Sequence, residues 1–88
     1  MKVYKFTHAF CPSCPAVERW LPGACAELGV ALESVNVLEQ PELASRYQVQ
    51  SVPTVIVQGA VDPPIVLIGS RLTKAELSRA VKKMAALG

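Results

Sequence analysis

Apolar and polar residues alternate along two stretches of the first forty residues, and between these stretches apolar residues recur at helical spacing. The alternation over residues 2–7 and again over 30–37 predicts two strands, since successive side chains of a strand point to opposite faces. A helix is predicted over residues 15–28, where apolar residues recur at steps of three and four: Val17, Leu21, Ala24 and Leu28. We expect Gly29 to end that helix, and Pro22 to kink it or to remove one of its hydrogen bonds.

The second half of the chain predicts a short helix followed by two strands. The short helix has Pro41 near its first position, where a proline is well tolerated. Strands are predicted over residues 53–57 and 65–68, and a turn that includes Asp62-Pro63-Pro64 separates them. Gly69 is expected to end the strand over residues 65–68.

The order of these elements predicts the fold class. A final helix runs to about Leu87 from a capping box, in which Thr73 and Glu76 lie three residues apart. The first three strands alternate with helices, so we expect them to pair in parallel, whereas the last two are close enough to form an antiparallel hairpin. The sequence thus predicts an α/β fold in a single domain over residues 1–88, with a four-stranded mixed sheet and about three helices on both faces.

Size and charge exclude several classes of function. A chain of 88 residues suffices for one domain and is too short for two. The net charge of +2, from nine basic and seven acidic residues, is too small a bias to indicate binding to nucleic acid or to a membrane surface. No apolar run approaches the roughly 18 residues of a membrane span, and no targeting signal is visible. We therefore expect a cytoplasmic protein.

Two of the three cysteines, Cys11 and Cys14, form a CxxC pair between the first predicted strand and the first helix. In a reducing compartment such a pair is more often catalytic or metal-binding than structural. Cys11 is expected at the N-cap of the helix, where unsatisfied backbone N–H groups and the helix dipole favour a thiolate. An exposed Cys11 would then attack a substrate disulfide, and Cys14, lying beneath it, would resolve the mixed disulfide.

Two other uses of the pair stay open at this point. The two thiolates could hold a soft metal ion such as Cu(I), or bridge a cluster between two chains, although a structural zinc site needs four ligands and the sequence adds only Cys25 and His8. The pair could also be idle in an adaptor protein. Redox chemistry predicts a reversible two-electron couple, whereas metal binding predicts metal in protein purified without chelator.

Three segments of the chain resemble the thioredoxin/glutaredoxin superfamily: residues 6–14, 42–49 and 51–55. A CxxC pair by itself is a weak match. A CxxC pair after the first strand, with Val-Pro-Thr about 40 residues later at the start of a third strand, is a specific one. The resemblance covers nearly the whole chain, and it implies a thioredoxin fold and disulfide exchange at the pair.

The same resemblance implies where a substrate binds. The bond between Val52 and Pro53 is expected to be cis and to lie beside the cysteines. The backbone N–H and C=O of Val52 would then face outward and pair with an extended substrate. Pro12 and Ser13, between the two cysteines, are the other expected substrate-binding residues.

Several positions depart from one branch of the superfamily or the other. Thioredoxins carry a Trp before the first Cys and a buried Asp six residues before it, whereas this chain has Phe10 and Lys5, so the proton-transfer partner that the Asp implies is missing. Glutaredoxins often have a Lys where His8 stands, a Thr at Ser51 and a second Gly after Gly69, and each loss weakens the case for a glutathione pocket. The chain starts at the strand before the pair, as in the minimal glutaredoxin topology. We expect a thioredoxin-like activity on a glutaredoxin-sized scaffold.

Five further residues are weighed against an ordinary structural role. His8 and Phe10 are possible modulators of the pair; His8 could favour the neighbouring thiolate or move a proton, or it could be an exposed turn residue without a role. Cys25 is expected to pack in the core, with a regulatory or dimerising thiol as the alternative. Trp20 is expected to serve packing or lie at the surface, and Tyr47 is expected to anchor the short helix to the sheet.

The expected partners follow from disulfide exchange. They are disulfide-containing proteins and an electron donor, either a thioredoxin-reductase-like flavoprotein or glutathione. We expect a monomer that needs no cofactor and no metal.

Overall fold

The computed structural model describes residues 1–61 and 63–87, and within them the chain forms four strands and three α-helices. In chain order they are β1 (Lys2–Thr7), α1 (Cys14–Leu28), β2 (Ala31–Asn36), α2 (Pro41–Arg46), β3 (Thr54–Gln58), β4 (Ile65–Leu67) and α3 (Lys74–Leu87). The predicted strands and the first helix differ from these bounds by one residue at most. A 3₁₀ turn at Gly69–Arg71, which was not predicted, precedes α3. Asp62, in the predicted turn, lies outside the described residues.

The ends of the helices follow from local chemistry. Gly29 adopts a φ of +68°, which favours glycine, and its N–H donates a hydrogen bond to the carbonyl of Ala26, which ends α1. Pro22 lies inside α1 without ending it, so one helical carbonyl has no N–H donor. At the start of α3, the hydroxyl of Thr73 accepts a hydrogen bond from the N–H of Glu76, one of the two bonds of the predicted capping box.

The strands lie in the order β2-β1-β3-β4. β1 pairs with β2 in parallel, while β3 is antiparallel to both β1 and β4. The prediction that the first three strands all pair in parallel was therefore wrong for β3. The segment between β2 and β3, residues 37–53, is long enough for a parallel crossover, so its length alone leaves both directions open. The chain enters β3 near the end at which β2 finishes, and β3 therefore runs in the opposite direction.

Helices lie on both faces of the mixed sheet, as predicted. One face packs against α1 and α3 in a cluster that includes Val3, Leu21, Val55, Leu77 and Met84. The opposite face packs against α2, through the buried residues Phe6, Val35 and Ile56. Because alternate residues of β1 point to opposite faces, a single strand serves both clusters. None of the helices in the described ranges is both long and apolar enough to cross a membrane.

Tyr47 joins the end of α2 to the sheet. Its ring centroid lies 5.4 Å from that of Tyr4 and 6.0 Å from that of Phe6, both on β1. Leu43 and Ala44 of α2 pack against the same cluster. The expectation that Tyr47 anchors the short helix is confirmed by these contacts.

Candidate active site

Cys11 and Cys14 are joined by a disulfide bond at the junction of β1 and α1, with their Cα atoms 5.4 Å apart. Cys11 lies in the turn that follows β1, and Cys14 is the first residue of α1. The spacing of two intervening residues therefore places one sulfur before the helix and the other within its first turn. Pro12 and Ser13, which connect them, are exposed.

The N-cap of α1 is Ser13, so the prediction that Cys11 occupies the N-cap was wrong. The helix begins at Cys14, two residues later than a helix capped by Cys11 would begin, and Pro15 lies in its first turn. The expectation that the sulfur of Cys11 lies near the positive end of the helix is nevertheless met. The backbone N–H of Cys14 donates a hydrogen bond of 3.1 Å to Sγ of Cys11, which brings that sulfur to the positive end of the helix.

Neither cysteine side chain is exposed. Cys11 is 8% exposed and Cys14 is 4% exposed, so the prediction that Cys11 is an exposed residue was wrong. In the turn before α1, the N–H of Cys11 donates a hydrogen bond to the carbonyl of His8. The side chain of Cys11 is buried in this turn. Phe10 is the residue that projects instead, with 84% of its surface exposed.

His8 holds the same turn from its side chain. Its Nδ1 accepts a hydrogen bond of 3.0 Å from the backbone N–H of Phe10. This contact holds the imidazole ring against the backbone of the turn. The ring also lines a small cavity with Val37, Gln50 and Val52. The structure thus shows a turn-stabilising role for His8, and its effect on the chemistry of the pair stays a prediction.

The peptide bond between Val52 and Pro53 is cis, as the resemblance implied. Within the described ranges, no hydrogen bond engages the backbone N–H or C=O of Val52. The hydroxyl of Thr54 donates a bond of 2.6 Å to the carbonyl of Ser51 and thereby ties the two sides of the proline together. Thr54 is buried, and sequence reasoning missed it, although a threonine directly after this proline was a usable signal.

A cleft of about 430 Å³ with both polar and apolar lining reaches Ser13, the residue next to Cys14. Its walls come from the start of α1, the segment before β3 and the 3₁₀ turn, and its lining residues are Ser13, Ala16, Val17, Trp20, Ser51, Val52, Pro53, Gly69 and Leu72. The cleft brings together three of the four predicted substrate-binding residues, and Pro12 is not part of its lining. Trp20 packs against the core, as expected, and also forms one wall of this cleft.

Cys25 lies in the core on the α1 side of the sheet, where it is buried. Burial raises the pKa of its thiol above the ordinary value, because a thiolate would lose its hydration there. The expectation that Cys25 packs as a small apolar residue is confirmed by its surroundings.

Lys5 is a charged residue in the interior, a place where no sequence pattern predicted it. It lies in β1 and is 6% exposed, and its Nζ forms an ion pair of 2.7 Å with the carboxylate of Glu18 on α1. The alternation of β1 points Lys5 to the same face as Val3, toward α1. Sequence reasoning noted Lys5 as a departure from thioredoxins and did not identify its partner.

Histidine, cysteine and acidic side chains do not gather into a metal site over residues 1–61 and 63–87, where no group of three or more could hold a metal ion together. The sulfurs of Cys11 and Cys14 are bonded to each other, which describes the oxidised form of the pair. The arrangement can accept two electrons and return to two thiols.

Comparison with known proteins supports this interpretation of the site. A family model described as a thioredoxin domain matches residues 1–82. A thioredoxin of Methanocaldococcus jannaschii is 36% identical over 85 residues, which cover 94% of each chain. Among solved structures, thioredoxin 1 of Thermosipho africanus aligns with a TM-score of 0.74 at 20% identity, over 99% of this chain and 97% of that one. A thioredoxin of Nicotiana alata aligns with a TM-score of 0.79 at 23% identity, over 93% and 70%.

Proposed function

This chain belongs to the thioredoxin family and is a thiol–disulfide oxidoreductase, and we propose that it reduces protein disulfides with Cys11 as the nucleophile and Cys14 as the resolving thiol. The observation that carries the assignment of roles is the hydrogen bond from the N–H of Cys14 to Sγ of Cys11. That bond places Cys11 at the positive end of α1, and a sulfur in such a position ionises more readily.

The reaction proceeds by two exchanges. The Cys11 thiolate attacks one sulfur of a substrate disulfide, forms a mixed disulfide with it and releases the other substrate sulfur as a thiolate. Cys14, the first residue of α1, then loses its proton and attacks Sγ of Cys11. This step releases the second substrate thiolate and forms the Cys11–Cys14 disulfide, so two electrons have passed to the substrate.

Substrate binding is assigned to the rim of the cleft. The unpaired backbone N–H and C=O of Val52 can form two hydrogen bonds with an extended substrate segment, as in the addition of a strand to a sheet edge. Pro53 and Ser13 form the adjoining wall, and Pro12 with the exposed Phe10 offers further apolar surface next to Cys11. These contacts would hold the substrate disulfide near a sulfur that is itself largely buried.

Family membership implies disulfide substrates and a reductase in general terms. We propose that the donor is a thioredoxin-reductase-like flavoprotein, with glutathione as the alternative. An assay of insulin reduction coupled to each donor separately distinguishes them, because only the physiological type should sustain turnover. A cytoplasmic location and a monomeric state stay predictions.

The assignment of roles is tested by insulin reduction with dithiothreitol as the electron source. We expect Cys11→Ser to abolish catalysis. Cys14→Ser, reduced and then mixed with insulin after dithiothreitol has been removed, should accumulate a mixed disulfide on Cys11, visible by mass spectrometry. Cys25→Ser is the matched control, since it changes a thiol outside the pair. Catalysis by Cys11→Ser would overturn the proposal, and normal turnover by Cys14→Ser would instead indicate a single-thiol mechanism.

A further inference from the structure

A second cleft, which we call the basic cleft, lies between β4 and α3 at the outer edge of the sheet. Its volume is about 400 Å³, and its charged lining residues are Arg71, Glu76, Arg79 and Lys83. Basic residues thus outnumber acidic ones there by three to one. The rest of the sequence, with six basic and six acidic residues out of nine and seven, is balanced.

Two of the three basic side chains in this cleft have no acidic partner in the described part of the chain. Arg79 forms an ion pair with Glu76 on the same helix, whereas neither Arg71 nor Lys83 forms one within residues 1–61 and 63–87. Both residues are exposed. Their positive charges are therefore available to an acidic ligand.

The backbone of β4 has an open edge beside these charges. β4 is the last strand in the order β2-β1-β3-β4, and over the described ranges it pairs with β3 alone. A strand with one partner presents unpaired N–H and C=O groups on its other side, and an extended peptide can add there as a further strand. α3 accompanies this edge, because Arg79, Ala80 and Lys83 line the same cleft as Ile65–Leu67.

The basic residues of α3 match the repeat of an extended peptide. Arg79 and Lys83 are four residues apart on α3, so they lie in one row and about 6 Å apart along the helix axis. Every second residue of a strand points to the same face, at a spacing of about 6.6–6.8 Å. A strand added to β4 with acidic residues at alternate positions would therefore place successive carboxylates near the two cations.

The opposite face of this edge is apolar. Val66 pairs with Ile56, which belongs to the cluster on the α2 side of the sheet, and Val66 is 41% exposed. Ile68 follows two residues later and is also exposed. The residues between the acidic ones in an added strand would lie on this face, where apolar side chains would cover Val66. The edge thus fits a segment in which acidic and apolar residues alternate.

The basic cleft adjoins the cleft that reaches Ser13. Gly69 and Leu72 line the cleft at Ser13, while Arg71, which lies between them in the chain, lines the basic cleft. Both clefts therefore meet at the 3₁₀ turn. A polypeptide bound near the cysteine pair can continue past this turn onto the edge of β4.

We propose that the open edge of β4 binds an extended segment of alternating acidic and apolar residues, and that this segment belongs to the proteins whose disulfides the chain reduces. Its acidic side chains contact Arg71, Arg79 and Lys83, and its apolar side chains pack against Val66. The assignment to substrates rests on the proposed function, whereas binding at β4 does not. Charged side chains at a sheet edge also keep copies of a protein apart, a role that needs no ligand. The experiment separates that role from binding.

The experiment measures, by fluorescence anisotropy at low salt, the binding of a labelled seven-residue peptide in which valine and glutamate alternate and which contains no cysteine. We expect the double variant Arg71→Gln with Lys83→Gln to bind this peptide about three- to tenfold more weakly, since each charge contact is exposed. The matched control is Lys74→Gln with Lys82→Gln, which removes two exposed lysines of α3 outside the cleft and changes the net charge equally. It should bind within about twofold of the parent.

A second readout tests whether the peptide adds as a strand. Alternate N–H groups of an added strand face β4, so methylation of the backbone nitrogens of either the glutamates or the valines, and not of both sets, should weaken binding. A peptide held by charge alone would respond equally to both sets. Equal losses in the two double variants, equal binding of a peptide with glutamine in place of glutamate, or equal effects of the two methylated sets would overturn the proposal. Tighter binding of a single-stranded oligonucleotide of equal charge would also overturn it.

The assignment to substrates is tested with two peptide disulfides that differ only in the tail, one ending in the acidic segment and the other in its glutamine version. We expect a lower KM for the acidic one at a similar kcat, and the Arg71→Gln with Lys83→Gln variant should remove that advantage. Equal KM values would overturn this assignment. Failure of the proposed function would appear separately, as a protein that binds the acidic peptide but reduces neither disulfide.

Discussion

The backbone N–H of Cys14 lies 3.1 Å from Sγ of Cys11 and donates a hydrogen bond to it. The N–H groups of the first helical turn have no partners within the helix, so a sulfur placed there satisfies one of them. When the disulfide opens, the same N–H faces a sulfur that can carry a negative charge. In the oxidised pair, Sγ of Cys11 therefore already lies where the end of the helix favours a nucleophilic thiolate.

The pKa of Cys11 in the reduced protein should consequently lie below the ordinary thiol value of about 8.5. Thiolate absorbance can be followed against pH in the Cys14→Ser variant, in which Cys11 is the thiol left in the pair. The pKa of Cys11 in the same variant unfolded by denaturant is the control. A pKa at or above that of the unfolded protein would contradict the role assigned to the helix.

Replacement of Cys25 should leave catalysis nearly unchanged, because its side chain packs in the core away from the pair. We expect the turnover of Cys25→Ser in insulin reduction to stay within a few-fold of the parent rate. A larger loss would mean that Cys25 takes part in the exchange or in a regulatory disulfide.

The buried Cys25 thiol should also make stability depend on alkaline pH. Its pKa is raised in the folded state, so the neutral thiol is favoured there and its contribution to stability is fully present below the unfolded pKa of about 8.5. That contribution is lost as pH rises through the higher folded value. Between about pH 8 and 10, the free energy of unfolding of the oxidised protein should fall more steeply than that of Cys25→Ala. Parallel curves from denaturant titrations would refute this.

The hydrogen bond from Thr54 to the carbonyl of Ser51 should matter for substrate binding more than for the sulfurs. Thr54→Val keeps the shape of the side chain and removes the donor, at a cost of about 1 kcal/mol in stability. We expect slower reduction of insulin and an almost unchanged reaction with a small aromatic disulfide, which does not need the Val52 backbone. Thr54→Ser retains the hydroxyl and should behave like the parent. Equal losses for both substrates would argue against a role in holding the substrate segment.

Tyr47 should contribute to stability without setting the redox equilibrium. Tyr47→Ala removes the ring contacts with Tyr4 and Phe6, and for a half-buried aromatic residue we expect a loss of about 2–3 kcal/mol in the free energy of unfolding. Tyr47→Phe keeps the ring and should lose less than half as much. The equilibrium with dithiothreitol should stay within about twofold of the parent value in both variants. A larger shift would show that α2 is coupled to the cysteine pair.

Much of the fold could be predicted because its signals are local. The alternation of β1 and the helical spacing of α1 reflect which side chains each element buries, and Gly29 and Pro41 mark ends that depend on their own backbone preferences. The direction of β3 could not be predicted in the same way. It depends on which end of the sheet the chain reaches after α2, and strand alternation is identical for parallel and antiparallel pairing.

For the site, the sequence by itself determined the identity of the redox pair and its place between a strand and a helix, since two cysteines three residues apart at a helix start meet within one turn. Only the tertiary structure decided how that pair is surrounded. The burial of Cys11, the bond between Thr54 and Ser51, and the pairing of Lys5 with Glu18 depend on turns and on the packing of α1 over β1. The charges of Lys5 and Glu18 are 13 positions apart in the chain. Their contact arises because the helix folds back over the strand, a geometry that residue spacing does not encode.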